Sequence, residues 1–268
     1  MATQHAPVAG RAPVAGTSLA YEVIGPGDGD WIVFAHGGEG TRLHWWQQVA
    51  HFAVDRRCLI YDARGHGASP GGPAPTSDNP MRDDLLALLD HIGIVRATMI
   101  GHSMGGLAVS GLARSHPSRV ERLIMSDSPF GFATAELAAW AADMIVRIDG
   151  GFAVLDHLYA PGFADREPAL SYLYQALNRL NPPRLGPTGM AAYETWRDQP
   201  AGDYRAFAVP ALFIVGAMDA LTPPPLITAT ARAIGGARLV EIAGAGHSTY
   251  AERADAYNDA IGEFCLRT

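Results

Sequence analysis

The chain has no lysine: all 20 of its basic residues are arginine. Chemistry that needs a lysine amine is therefore excluded. Cysteine is nearly absent. Cys58 and Cys265 stand alone, with no C-x-x-C pair, which argues against zinc or redox use and reads as two buried free thiols. No apolar run approaches the roughly 20 residues that span a bilayer. Positive charge is outnumbered, with a formal net charge of −7, so neither nucleic acid nor an anionic membrane is expected as a partner. Residues 1–16 repeat Ala-Pro-Val-Ala-Gly and lack the apolar core of a signal peptide. They read as a flexible tail, and the protein as cytoplasmic. Nothing in the sequence calls for a cofactor or a metal.

What is present is 268 residues of ordinary globular composition, 48% hydrophobic and 18% charged, enough for one large domain with an insertion. Apolar runs bounded by turn residues predict strands at 18–24, 31–35, 58–61, 97–101, 120–125, 211–215 and 239–242. Helices are expected between them. Pro80 suits a first turn, Met81, Leu85, Leu88, Leu89 and Ile92 share a face, and Gly93 stops the helix. A last helix has Thr249 and Glu252 at capping-box spacing. Buried strands alternating with helices predict an α/β fold with a mostly parallel sheet covered on both faces. The alternation breaks between Pro129 and Pro210. Leu137, Trp140, Ala141, Met144, Ile145 and Ile148 mark one amphipathic helix there. Leu170, Leu173, Tyr174, Leu177 and Leu180 mark a second, and Thr188–Trp196 a third. This predicts a helical insertion over about 130–205.

The most informative stretch is Gly101-His102-Ser103-Met104-Gly105-Gly106, between a predicted strand and a predicted helix. It has the G-x-S-x-G pattern of a nucleophile elbow, a sharp turn that lifts a serine oxygen clear of the sheet. A serine hydroxyl needs a base to take its proton and a third group to orient the base. His247 follows the last strand in Gly244-Ala245-Gly246-His247, where glycines let the chain bend. Asp219 follows strand 211–215 and is favoured as the acid. Asp127, after strand 120–125, competes for that role and otherwise reads as a hinge residue near the pocket. The developing oxyanion needs donors: the Met104 amide opens a helix, and the Gly38 amide lies in His36-Gly37-Gly38. His36 and His102 read as structural.

Taken in order, His36-Gly37-Gly38, Asp62-Ala63-Arg64-Gly65-His66-Gly67-Ala68-Ser69, Gly101 to Gly106, Gly216 to Asp219 and Gly246-His247 resemble the α/β-hydrolase superfamily over about residues 17–268. The resemblance implies a sheet of about eight strands flanked by helices, with core residues 17–129 and 206–268 and a helical cap at 130–205. It implies structural roles for Asp62 and Arg64. Within the superfamily the chain looks like small esterases, enol-lactonases and C–C bond hydrolases, and Leu221-Thr222-Pro223-Pro224 fits that group. The expected activity is hydrolysis of a small carboxylic ester or lactone through an acyl-enzyme on Ser103. C–C bond cleavage of a β-diketone or dienoate on the same triad is the alternative. Gly38-Glu39-Gly40 stands where those enzymes carry a serine-rich turn, which weighs against it. A nonhydrolytic biosynthetic enzyme and a ligand-binding sensor on the same scaffold are further readings. Ser103 in place of an elbow aspartate argues against epoxide hydrolases and dehalogenases, and the absent lysine against plant-type hydroxynitrile lyases. Trp45 and Trp46 are adjacent on a predicted helix and cannot share a face, so one is expected in the core and the other near the substrate. Trp140, Met144 and Asp127 are also expected near the substrate, which would then carry an apolar or aromatic part.

Overall fold

A computed structural model describes residues 6–73, 76–182 and 202–266. Its centre is an eight-stranded sheet in the order β1-β2-β4-β3-β5-β6-β7-β8. The strands are β1 (Val8–Val14), β2 (Thr17–Ile24), β3 (Trp31–Ala35), β4 (Arg57–Tyr61), β5 (Ala97–His102), β6 (Val120–Ser126), β7 (Ala211–Gly216) and β8 (Arg238–Ile242). β1 pairs antiparallel with β2, and β2 antiparallel with β4; every pairing from β4 to β8 is parallel.

Side-chain alternation splits the core into two layers. Val33, Met99, Leu123, Met125, Phe213 and Val215 point to the face covered by α2 (Pro80–Ile92), α3 (Gly105–Ser115) and, further along the chain, the helix Pro224–Ala233. Ile32, Phe34, Ile100, Ile124, Leu212 and Ile214 face α1 (Trp46–Phe52) and the C-terminal helix Ala254–Leu266. The α2 ends form as their residues dictate. The Asn79 side chain accepts the Arg82 amide at 3.0 Å, and Gly93 closes the helix at φ +83°.

Two expectations fail. Residues 8–14 are no tail: β1 forms a seven-residue ladder with β2, and Ala12 is completely buried. Thr249 and Glu252 form no capping box. Ser248 is the N-cap of a four-residue helix, Thr249–Glu252, and the non-helical backbone of Arg253 separates it from Ala254–Leu266. The Glu252 carboxylate is instead spent on two distant amides, Gly246 at 2.9 Å and Ala160 at 2.9 Å.

Between β6 and β7 lie α4 (Ala135–Asp149), α5 (Phe163–Arg166) and α6 (Pro168–Asn178). The α4 stripe is as read, with Leu137, Ala141 and Met144 buried. On α6 the buried side chains are Ser171 and Tyr174, whereas Leu173 and, just beyond the helix, Leu180 are exposed. The expected helix Thr188–Trp196 lies outside the described residues. Among the described residues no helix is long and apolar enough to cross a membrane.

The strand order places the site. From β3 the chain runs outward to β4 on one side, while β5 lies on the other. Loops leaving the C-terminal ends of β3 and β5 diverge there and open a crevice. The loop after β3 carries Gly38, and the turn after β5 carries Ser103.

Candidate active site

Ser103 sits at the tip of the turn from β5 into α3 with φ +47°, a conformation unusual for a residue with a side chain. The surroundings hold it there. Its amide donates to the Ser126 carbonyl at 2.9 Å, and its carbonyl accepts from the Ser128 hydroxyl at 2.7 Å and the Gly106 amide at 2.9 Å. Close approach explains the glycine two residues on. A methyl group at Gly105 would stand 2.3 Å from the Ala35 carbonyl oxygen of β3.

The Ser103 hydroxyl lies 2.9 Å from His247 Nε2, and His247 Nδ1 lies 2.9 Å from Asp219 Oδ2. The three residues come from turns after β5, β8 and β7, all at one edge of the sheet. Asp219 makes its own Asx turn. Its Oδ1 accepts the Leu221 and Thr222 amides at 2.8 and 2.9 Å, and Oδ2 faces the Thr222 hydroxyl at 2.8 Å. With every other approach filled, the carboxylate leaves one direction for the imidazole N–H. Nδ1 then carries the proton, and the Nε2 lone pair faces Ser103. Burial alone would pull the His247 imidazole below its ordinary value. The charge and hydrogen bond of Asp219, with Asp127 and Glu252 behind it, outweigh burial and hold it above.

His102 is buried, and its Nε2 lies 2.8 Å from the His247 carbonyl, so it supports the loop as a neutral ring. Burial, then the nearby His247, push it well below the ordinary histidine value. His36 is likewise structural. Its Nε2 accepts the Ala63 amide at 2.9 Å, which leaves Nδ1–H to donate to the Gly37 carbonyl at 2.7 Å. Asp62 accepts the amides of Arg42 and Ala68, and Arg64 grips Asp84 with two nitrogens.

Gly38 and Met104 meet across the crevice: a methyl group at Gly38 would lie 3.9 Å from Met104 Cβ. Among the described residues neither amide has an internal hydrogen-bond partner. Both amides are therefore candidates for the donors that acyl transfer at Ser103 would need.

The expected substrate residues divide. Trp45 is fully buried between Phe34 and Tyr250, with ring centroids at 5.1 and 4.7 Å, and is core rather than pocket. Trp46, its neighbour, points the other way on α1 and is 43% exposed. The Trp140 indole donates to the Leu221 carbonyl at 2.8 Å and packs on Phe130, beside the Asp219 turn. Met144 is buried one turn further along α4. Asp127 belongs to the loop framework around the triad. It is completely buried, also at φ +47°, and its Oδ1 accepts the Gly216 amide at 2.9 Å and the Thr249 hydroxyl at 2.8 Å.

Sequence reasoning missed Thr222 as a partner of the acid and Glu252 as a partner of the histidine loop. Thr222 left a signal only through the turn, because an aspartate side chain that accepts the amide two residues on curls the following residues back toward it. Glu252 left none, since its partners lie in two separate loops. Among the described residues no cluster of histidine, cysteine and acidic side chains is placed to hold a metal.

The geometry agrees with what the chain is similar to. It is 33% identical over 159 residues to 3-oxoadipate enol-lactonase 2 of Acinetobacter baylyi, covering 57% of this chain and 58% of that protein. The chain thus spans little more than half the length of that curated relative. The enol-lactonase of Burkholderia xenovorans LB400 superimposes with a TM-score of 0.76 at 29% identity, over 96% of this chain and 100% of that one. A thermophilic esterase from Thermogutta terrifontis gives 0.77 at 25% identity, over 96% and 98%. The sequence profile of the alpha/beta hydrolase family matches residues 32–260, and the chain belongs to that family.

Proposed function

We propose that the protein hydrolyses a small carboxylic ester or lactone through an acyl-enzyme on Ser103. The observation that carries this reading is the line of hydrogen bonds from Ser103 Oγ through both nitrogens of His247 to Asp219. A neutral imidazole in that tautomer can take the serine proton as Oγ attacks a carbonyl carbon. In this reading the Gly38 and Met104 amides receive the oxygen as it becomes negative. His247 then gives its proton to the leaving oxygen, which stays attached to the product when the substrate is a lactone. Water adds to the acyl carbon, passes a proton to His247, and the acid leaves as Ser103 recovers its hydrogen. Asp219 holds the ring and stabilises its charged form.

The similarity to enol-lactonases and esterases supports the bond class. In this reading the segment 130–205 is a cap over the crevice, with Trp140 and Trp46 as apolar contacts for the substrate. Purified protein should turn over p-nitrophenyl esters or a panel of lactones, and a fluorophosphonate should label Ser103. The Ser103→Ala variant should fold, lose the label and lose turnover. Full turnover by Ser103→Ala would refute the assignment.

A further inference from the structure

The four consecutive carbonyls of residues 37–40 are all held. The Gly37 oxygen accepts from the Gly40 amide at 3.0 Å and His36 Nδ1 at 2.7 Å. The Gly38 oxygen lies 2.9 Å from His66 Nε2. The Glu39 and Gly40 oxygens both face Asn181 Nδ2, at 2.9 and 3.2 Å. Asn181 completes its set by accepting the Gly67 amide on Oδ1 at 2.9 Å. One side chain, more than a hundred residues away in sequence, thus ties the loop after β3 to the loop after β4.

The arm that carries Asn181 is anchored. Its amide donates to the Asn178 carbonyl at the end of α6 at 3.1 Å. Asn178 meets His44 Nε2 at 2.7 Å, and the buried Tyr174 of the same helix takes a hydrogen bond from Gln47 at 3.0 Å.

The consequence follows from peptide planarity. In a trans peptide the N–H points away from the preceding C=O. Holding the Glu39 carbonyl therefore aims the Gly40 N–H, which closes on the Gly37 carbonyl. Holding the Gly37 carbonyl fixes the Gly38 N–H pointing the opposite way, and among the described residues that N–H has no internal acceptor. Asn181 sits at the head of that relay, together with Asn178, whose side-chain amide also reaches the Glu39 carbonyl at 3.0 Å. We propose that Asn181, just beyond α6, is a positioning residue for the Gly38 oxyanion donor, so that a residue far from the elbow in sequence governs transition-state stabilisation. The proposal rests on the acyl-transfer reading of Ser103.

The test compares wild type, Asn181→Ala and Asn181→Asp on an aryl ester, with functional sites counted by complete fluorophosphonate labelling. Asn181→Asp keeps the acceptor for Gly67 but sets an oxygen against two carbonyls, so it separates lost positioning from lost folding. In both variants kcat per labelled site should fall about tenfold to a hundredfold, below the full loss of a donor, with KM within about twofold. Binding of a trifluoromethyl ketone, which forms an oxyanion on Ser103, should weaken by the same factor as kcat/KM. Per-site kcat and ketone affinity within twofold of wild type in both variants would overturn the proposal. A lower site count at unchanged per-site kcat would show a structural role only, and overturn it too. If wild type takes no label on Ser103, the acyl-transfer reading has failed and this proposal falls with it.

Discussion

The Asp127 carboxylate accepts the Gly216 amide at 2.9 Å, so the second candidate acid builds the turn that carries the first. Asp127 also reaches Thr249 beside His247, and the Thr222 hydroxyl lies 2.9 Å from its carbonyl oxygen. It braces the two loops, after β7 and after β8, that converge on the imidazole. Burial, reinforced by the charge of Asp219, pushes the Asp127 carboxyl up to about 8. The Ser126 hydroxyl donates to its Oδ2 at 3.1 Å.

That shift makes a stability prediction with a definite sign. The unfolded chain ionises Asp127 near its ordinary value of 3.8, and the folded chain near 8. Between those values the folded state binds more protons, so stability from this group falls as pH rises. Asparagine mimics the protonated acid and cannot ionise. The Tm of Asp127→Asn minus that of wild type should therefore be more positive at pH 8 than at pH 5. A difference that stays flat across this range in calorimetry would show that Asp127 is ionised in the fold.

His247 gives a kinetic prediction. It must be neutral to accept the Ser103 proton, so kcat/KM should fall on the acid side with the imidazole's own pKa. Because Asp219 outweighs burial, the midpoint should lie above 6.5. Asp219→Asn should move the midpoint down and lower kcat by roughly a thousandfold or more, through the wrong tautomer and the lost charge. An unmoved midpoint would break the link between the two residues.

The contrast between Ser103 and Asn181 explains what was readable in the sequence. Strands β3 to β7 are apolar runs buried on both faces, and the elbow needs small residues at fixed offsets, so both leave local patterns. Ser103, Asp219 and His247 could be placed because each follows a strand, and strand ends share one sheet edge. β1 was invisible because an edge strand buries little: Val8 is 66% exposed and only Ala12 is fully covered. That one of Trp45 and Trp46 is core follows from their adjacency, but which one is set by the distant partners Phe34 and Tyr250. Asn181 and Glu252 act on backbone groups of distant loops, which no local spacing encodes.

Gly246 offers a test of packing beside the base. A methyl group there would stand 2.3 Å from the Ala160 backbone nitrogen, which cannot yield as a side-chain tip would. The same two amides share the Glu252 carboxylate. Gly246→Ala must push the histidine loop and the Tyr159–Ala160 segment apart. It should cost about 1–3 kcal/mol of stability, as overpacking does, and lower kcat by roughly tenfold or more as His247 shifts from Ser103. Wild-type kcat in a stably folded Gly246→Ala protein would show that the loop tolerates the displacement.

The first strand gives the sharpest test of the fold. Deleting residues 1–15 removes the ladder partner of β2 and uncovers an edge that already pairs antiparallel with β4. It also takes away two long-range contacts: Arg11 to the Ala68 carbonyl at 2.9 Å, and Arg64 to the Ala15 carbonyl at 2.9 Å. Arg64 grips Asp84 on α2, and α2 packs on β1, so the loss reaches the helix layer. An exposed strand edge invites pairing between molecules. The truncated protein should melt several degrees lower and aggregate on heating, while Ser103 keeps its fluorophosphonate label at low temperature, because the strand lies at the far side of β2 from β5. An unchanged Tm would restore the reading of these residues as a tail.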